Sequence, residues 1–250
     1  MNIDPGLINT PKWPVFYEDN HLLVVYKPSG LLIQGDRTGD TCLLELARQY
    51  IKVRYEKPGN VFLGMVHRLD RPVAGVVVFA RTSKAAARLN EQFRTSGPEK
   101  QYLAVVQGIV PDSAGAFIDH LERRGATSRI LASPSSTSRQ ARLRYRRLDI
   151  LSTPGAQKSL VEIDLETGRH HQIRVQFAHR GFPVLGDLRY GAAAPLPQKQ
   201  LVLFARKLSF DHPTQKQRMT FCAPLPLGWP WPATPENLDA PVWDWKALQA

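Results

Sequence analysis

The chain has 250 residues, 43% of them hydrophobic, with 33 Lys and Arg against 22 Asp and Glu, a net charge of +11. A chain of that length buries about three quarters of its unfolded surface, which excludes a disordered or fibrous protein. The positive excess makes a polyanion such as nucleic acid the first partner to weigh.

Cys42 and Cys222 stand far apart, without disulfide-framework or zinc-site spacing, so a reducing cytoplasmic setting is expected. The opening MNIDPGLINTPKWP lacks the apolar core of a signal peptide, and no apolar run approaches the roughly 20 residues of a membrane span.

Residues 15–33, VFYEDNHLLVVYKPSGLLI, read as two apolar β runs broken by KPSG, whose Pro28-Ser29-Gly30 turn is expected at the surface. Leu43, Leu44, Ala47, Tyr50 and Ile51 recur at helical spacing behind an Asp40 or Thr41 cap. After HRLDRPVAG, the run VVVFA suits a strand buried on both faces, and Thr82-Ser83 caps a second helix. YLAVVQGIV, AFIDHL, ARLRYRRLDIL and SLVEIDLET follow as strands, giving a strand-rich middle in an α+β pattern.

Between Arg123 and Arg147 lie eight arginines, no lysine and no acid, interrupted by ASPSSTS. This is either an arginine-bearing, partly mobile insertion or a solvated loop beside a strand with an exposed basic face. The tail from Pro224, with PLPLGWPWP and later VWDW, is too proline-rich for regular structure and reads as a strap with its tryptophans turned inward.

Two segments put charge into apolar surroundings: residues 67–80, HRLDRPVAGVVVFA, and residues 165–181, LETGRHHQIRVQFAHRG. Charges beside core strands need partners, and Asp70 with Arg174 is a natural pairing. In a third segment, KQYLAVVQG, Tyr102 opens a strand that could lie against the same site.

Together, HRLD with its small-residue turn, KQYLAVVQG and GRHHQIR resemble, in order, the motifs of the RluA-type family of pseudouridine synthases. YEDNHLLVVYKPSGLLI, GFPVLGDLRYG and LSFDHPTQKQRMTFCAPLP extend the resemblance over roughly residues 15–227. It implies an α+β fold with a mixed, mainly antiparallel central sheet flanked by helices and loops, and an active-site cleft across the sheet. Residues 15–227 would form the catalytic domain, between an N-terminal extension (1–14) and a Pro/Trp-rich tail (228–250). An additional N-terminal S4-type RNA-binding module is not expected.

The resemblance makes Asp70 the catalytic aspartate, Tyr102 the active-site tyrosine and Arg174 the basic partner of the aspartate. Arg68 looks like the arginine inserted into RNA as the target base turns out, and His67, Arg71, Arg169, His171 and Gln172 are expected around the substrate. Val73-Ala74-Gly75 stands where the family usually has Thr-Ser-Gly, so altered packing of that turn is expected. The implied substrate is structured rRNA or tRNA, acted on by a monomer with no cofactor, no metal and no membrane. Adjacent histidines on a helix point to different faces, and no HxxxH with a carboxylate occurs.

Two other readings of the residues are a glycosidase pairing Asp70 with Asp164 or Glu166, and a noncatalytic RNA-binding protein. Glu162, Asp164 and Glu166 share one strand face, however, as a solvated sheet would place them.

Overall fold

The computed structural model describes residues 13–95, 97–197, 200–226 and 229–231. It divides into two compact units, residues 13–98 with 207–226, and residues 99–206 with 229–231. The expected tail falls largely outside the described residues. Within it, Trp231 is buried and its indole N–H donates to Asp149 at 3.0 Å.

In the first unit, β1 (Val15–Glu18) and β2 (Leu22–Lys27) form an antiparallel hairpin closed by Asp19, which accepts the N–H groups of His21 and Leu22, both at 2.7 Å. The break between strands therefore falls at Asp19-Asn20-His21 and not at KPSG. Leu31-Leu32-Ile33 is no strand, and Leu32 makes only an isolated bridge to Cys42.

Helix α1 (Leu43–Arg54) begins one residue later than a Thr41 cap and two later than an Asp40 cap would place it, with Cys42 as N-cap and no side-chain cap. It buries Leu43, Leu46, Ala47, Tyr50 and Ile51. The short β3 (Gly64–Met65) and the fully buried β4 (Ala74–Ala80) follow, β4 lying antiparallel to β2. Helix α2 (Ser83–Arg94) is capped by Thr82, which accepts the Ala85 N–H.

In the second unit, β5 (Glu99–Gln107), β9 (Ala156–Leu165), β8 (Arg139–Thr153), β6 (Ala114–Arg124) and β7 (Thr127–Leu131) form, in that spatial order, an antiparallel sheet. Helix α3 (Gln172–His179) covers one face, setting Phe177 5.0 Å from Phe117 and 5.7 Å from Tyr145, ring to ring. Strand β10 (Leu203–Asp211) starts in this unit and ends in the first, where it pairs with β11 (Arg218–Cys222). Among the described residues, no helix is long and apolar enough to cross a membrane.

Candidate active site

The HRLD segment is the loop from β3 to β4. Leu69 is buried and anchors it, Arg68 is exposed, and Asp70 is half-buried where the Val73 N–H closes a turn onto the Asp70 carbonyl at 3.0 Å. The turn rests on Lys27, a wholly buried side chain at the end of β2. Its Nζ donates to the carbonyls of Pro28 at 3.0 Å, Arg71 at 3.0 Å and Val73 at 2.7 Å. Burial pushes the Lys27 amine down to about 7, against the opposing pull of the Asp70 charge.

The KPSG turn is clamped to the same loop: Ser29 Oγ donates to the Pro72 carbonyl at 2.8 Å and the Gly30 N–H to the Arg71 carbonyl at 2.9 Å. It is thus less open than expected, with Pro28 buried and Gly30 alone exposed.

Arg71 returns a bond from Nε to the Gly30 carbonyl at 2.9 Å and pairs with Asp40 at 2.8 Å. His67 Nε2 accepts the Val78 N–H at 3.0 Å, and its ring stacks on Phe93 at 4.9 Å. These contacts make both residues braces of the Asp70 loop. Val73 and Ala74 are buried, and Val73 contributes its carbonyl to Lys27. The backbone of this turn is thus held from below without the two hydroxyls.

In the second unit, Tyr102 is half-buried on β5, opposite Ile163, which faces Tyr145 on β8. Tyr102 therefore lies on the sheet face that α3 covers. Arg174 projects from α3 and is buried. Its Nε and Nη2 donate to Asp187 Oδ2 at 2.6 Å and Oδ1 at 2.8 Å, with side-chain exposures of 5% and 1%. The Tyr190 ring lies against the guanidinium, 5.1 Å from Cζ to centroid. Its hydroxyl accepts the Ser128 N–H at 2.8 Å and sits 2.8 Å from His171 Nδ1.

Helix α3 starts at Gln172. Its N-cap is His171, held at φ 55, a left-handed conformation that costs a residue with a Cβ and persists only where its surroundings impose it. Gln172 supplies the grip, with Oε1 accepting from Thr167 Oγ1 at 2.7 Å and the Arg169 N–H at 3.0 Å while Nε2 donates to the Arg142 carbonyl at 3.1 Å. Arg169 is exposed, its Nε on the Gln140 carbonyl at 3.0 Å. Burial, and then the Arg169 charge, lower the amine of Lys100.

The first unit thus gathers His67, Arg68, Asp70 and Arg71 on one loop, and the second gathers Arg169, His171, Gln172 and Arg174 at the head of α3. Sequence reasoning assigned no role to Lys27, Asp187 or Tyr190. The signal was a lysine inside an apolar run in the first case and the quoted GDLRYG segment in the others.

The arginines of the run lie on β6, β7 and β8, and residues 132–138 form the loop between β7 and β8. Arg142 and Arg144 both pair with Glu166, each at 3.1 Å, Arg146 with Glu162 at 2.9 Å, and Arg124 and Arg129 with Glu122 at 3.1 and 2.9 Å. No metal-holding group of His, Cys, Asp and Glu occurs among the described residues.

Residues 21–179 match the profile of the family described as RNA pseudouridylate synthase. The chain is 32% identical over 221 residues to ribosomal large subunit pseudouridine synthase C of Buchnera aphidicola subsp. Schizaphis graminum, covering 84% of this chain and 67% of that one. It is 34% identical over 229 residues to ribosomal large subunit pseudouridine synthase D of Xanthomonas campestris pv. campestris, covering 85% and 66%. The chain thus spans about two thirds of the length of these relatives. The solved structure of human RNA pseudouridylate synthase domain containing 4 shares the fold, with a TM-score of 0.71 at 24% identity over 86% of this chain and 89% of that one. With 32–34% identity to such enzymes over most of its length and the family profile spanning the HRLD, KQYLAVVQG and GRHHQIR segments, the chain belongs to the RNA pseudouridylate synthase family of isomerases.

Proposed function

We propose that the protein converts uridine to pseudouridine in structured ribosomal RNA, or alternatively tRNA, with Asp70 as the attacking carboxylate. The supporting observation is that Asp70 stands half-buried on a loop whose backbone Lys27 fixes through the carbonyls of Arg71 and Val73, inside the segment that matches the family. The relatives named for the large ribosomal subunit favour rRNA as the substrate.

The reaction breaks the C1′–N1 glycosidic bond, turns the uracil and joins C1′ to C5, from which one proton departs while N1 gains one. Atoms balance without oxidant, reductant or energy source. The ionised carboxylate assists by attack at C1′ or C6, or by taking a ribose proton. Arg174 is assigned as its partner, its charge favouring the ionised carboxylate, while its Nε and Nη2 are bonded to Asp187. Tyr102 is assigned to the base, stacking on it and moving the C5 proton directly or through water. Removing the base from its stack costs a few kcal/mol, which a filling side chain offsets. Exposed Arg68 suits that filling role.

A glycosidase built on Glu166 is disfavoured, because Arg142 and Arg144 both hold that carboxylate. The deciding experiment incubates rRNA and tRNA transcripts with the protein and digests them to nucleosides. Pseudouridine supports this reading, free uracil supports a hydrolase, and unchanged uridine supports a binding protein alone.

A further inference from the structure

Among the described residues, Tyr55 and Phe62 are the two exposed aromatic side chains, 46% and 49% exposed, and both stand in the segment that joins α1 to β3. Tyr55 closes α1, with the Arg81 guanidinium carbon 4.6 Å from the centre of its ring. Arg81 follows Ala80, the end of β4, and Ala80 pairs with Gly64, two residues after Phe62. Both rings therefore belong to the same end of β4. A Cβ on Gly64 would stand 3.3 Å from Phe62 Cζ and 2.9 Å from Ala86 Cβ, so the Phe62 ring is seated against backbone that a glycine leaves bare.

Basic side chains flank the rings. Arg48, Lys52 and Tyr55 follow one another at i, i+4 and i+7 on one stripe of α1, and Arg48 Nη2 donates to the Leu63 carbonyl at 3.4 Å, tying that stripe to the residue after Phe62. The helix ends in a reversed turn: Glu56 takes φ 48, its N–H donates to the Val53 carbonyl at 3.2 Å, and the Lys57 N–H donates to the Lys52 carbonyl at 2.9 Å. Glycine usually fills such a place, and a residue with a Cβ holds it at a cost. The turn brings Lys57 back to the end of the helix beside Lys52. Neither ammonium has a hydrogen-bond or ion-pair partner among the described residues, whereas Arg54 and Arg81 both meet Glu18, at 3.5 and 3.1 Å.

A cation in the last turn of a helix favours the helix dipole, which accounts for Lys52 but not for two bare rings beside it. Unpaired lysines around exposed aromatics match a chain that alternates phosphates with flat bases, because single-stranded RNA is held by stacking on aromatic faces and by cations along its backbone. A protein partner would use the rings but not the lysines, which are depleted from protein interfaces. Strand β4 rises about 3.3 Å per residue from Ala74, beside the Asp70 turn, to Ala80, which sets the patch roughly 20 Å along the strand from that turn.

We propose that Tyr55 and Phe62, with Lys52 and Lys57, form a second RNA contact that takes an unpaired stretch flanking the target nucleotide. The inference rests on the reading of RNA as the substrate. Such a contact sets affinity and KM and leaves the chemical step alone.

The probe is a fluorescein-labelled oligouridylate, titrated with the full chain. Tyr55→Leu with Phe62→Leu keeps apolar cover over Gly64 and removes both stacking faces, and affinity should fall about 10-fold at an unchanged salt slope. Lys52→Gln with Lys57→Gln should flatten the slope of log K against log salt by about 1.4, near 0.7 for each phosphate lost. On transcripts that the parent modifies, the aromatic pair should raise KM about 10-fold, with single-turnover kcat within about twofold of the parent. With 5-iodouridine in the oligouridylate, irradiation should crosslink it to Tyr55 or Phe62.

Parent affinity and slope in both double variants overturn the proposal, as does crosslinking that spares both rings. Should the aromatic pair lack a cooperative melt, the exposed lysine pair carries the test through the slope. A parent that sediments as a dimer, which Phe62→Leu dissolves without changing RNA binding, makes the patch an interface between copies and refutes the RNA contact. A parent that forms no pseudouridine on any transcript fails the functional reading, whereas an active parent whose variants bind as it does fails this inference alone.

Discussion

Lys27 Nζ donates to the Val73 carbonyl at 2.7 Å and to the Arg71 carbonyl at 3.0 Å, so one side chain at the end of β2 holds both sides of the turn that carries Asp70. Three carbonyls, with Pro28 as the third, match the three N–H bonds of an ammonium. Burial nevertheless lowers this amine from 10.5 to about 7.

The consequence for stability has a definite sign. Below pH 7 both folded and unfolded chains carry the Lys27 proton, and the cost of burying the charge is present in full. Between about 7 and 10.5 the unfolded chain binds the proton and the folded one sheds it, so stability rises with pH. Lys27→Met leaves three carbonyls without their donor, at about 1–3 kcal/mol each where buried, and should melt lower throughout. Its deficit against the parent should widen as pH rises from 7 to 10. Parallel melting profiles across that range would show that Lys27 does not titrate there.

Gly186 precedes Asp187 at φ +86, and a Cβ there would stand 2.5 Å from the Gln200 carbonyl oxygen and 2.8 Å from Leu196. Gly186→Ala should therefore cost at least about 1–3 kcal/mol for the backbone conformation alone, with more from the overlap. Gly125, at φ +56 with nothing within 4 Å of its Cβ position, is the matched comparison. Gly125→Ala should lower the melting temperature much less. Equal losses would mean that backbone conformation, and not the close approach at Gly186, governs the effect.

The strands and the second helix were legible because their signals are local: β4 is an unbroken apolar run, and Thr82 is a cap that donors three residues on can reach. The placement of the first turn was not. KPSG is the stronger breaker in isolation, but Asp19 closes the hairpin earlier, and His212 at the β10–β11 turn binds the same aspartate at 2.8 Å. That contact joins residues 193 positions apart, which no local pattern encodes. The counter-charges of the arginine run were hidden for a related reason. Glu162 and Glu166 lie outside the run and meet it only through the β8–β9 register. Asp187 was quoted in a motif without a role, because its partner lies a helix away.

That pairing alters what is expected of RNA binding. Five of the eight arginines between Arg123 and Arg147 are held by Glu122, Glu162 and Glu166, whereas Arg123, Arg139 and Arg147 bond to backbone carbonyls. If the latter reach phosphates, Arg123→Ala and Arg139→Ala should each flatten the dependence of log K on log salt by about 0.7–0.9. Arg144→Ala should leave the slope unchanged and affinity within about twofold. An equal loss of slope in all three variants would show that the glutamates do not occupy these arginines when RNA binds.

The assignment of Asp70 is tested by Asp70→Asn, which keeps the size of the side chain and removes the charge that every version of the chemistry requires. Pseudouridine should vanish while RNA affinity stays near that of the parent, because phosphate contacts set affinity and one carboxylate acts where bonds change. Removing an anion from a basic surface can even tighten binding slightly. Loss of turnover alone would also follow from a disordered loop, so the variant needs a check that reports on the loop itself. The Asp70 charge favours the Lys27 ammonium. In Asp70→Asn that pull is gone, and the Lys27 amine should fall further below its ordinary value. The rise of stability with pH should accordingly begin at lower pH than in the parent. A folded variant that shows this shift and makes no pseudouridine has kept its loop on Lys27 and lost only the nucleophile. A folded variant that still isomerises uridine at a substantial fraction of the parent rate would remove Asp70 from the chemistry.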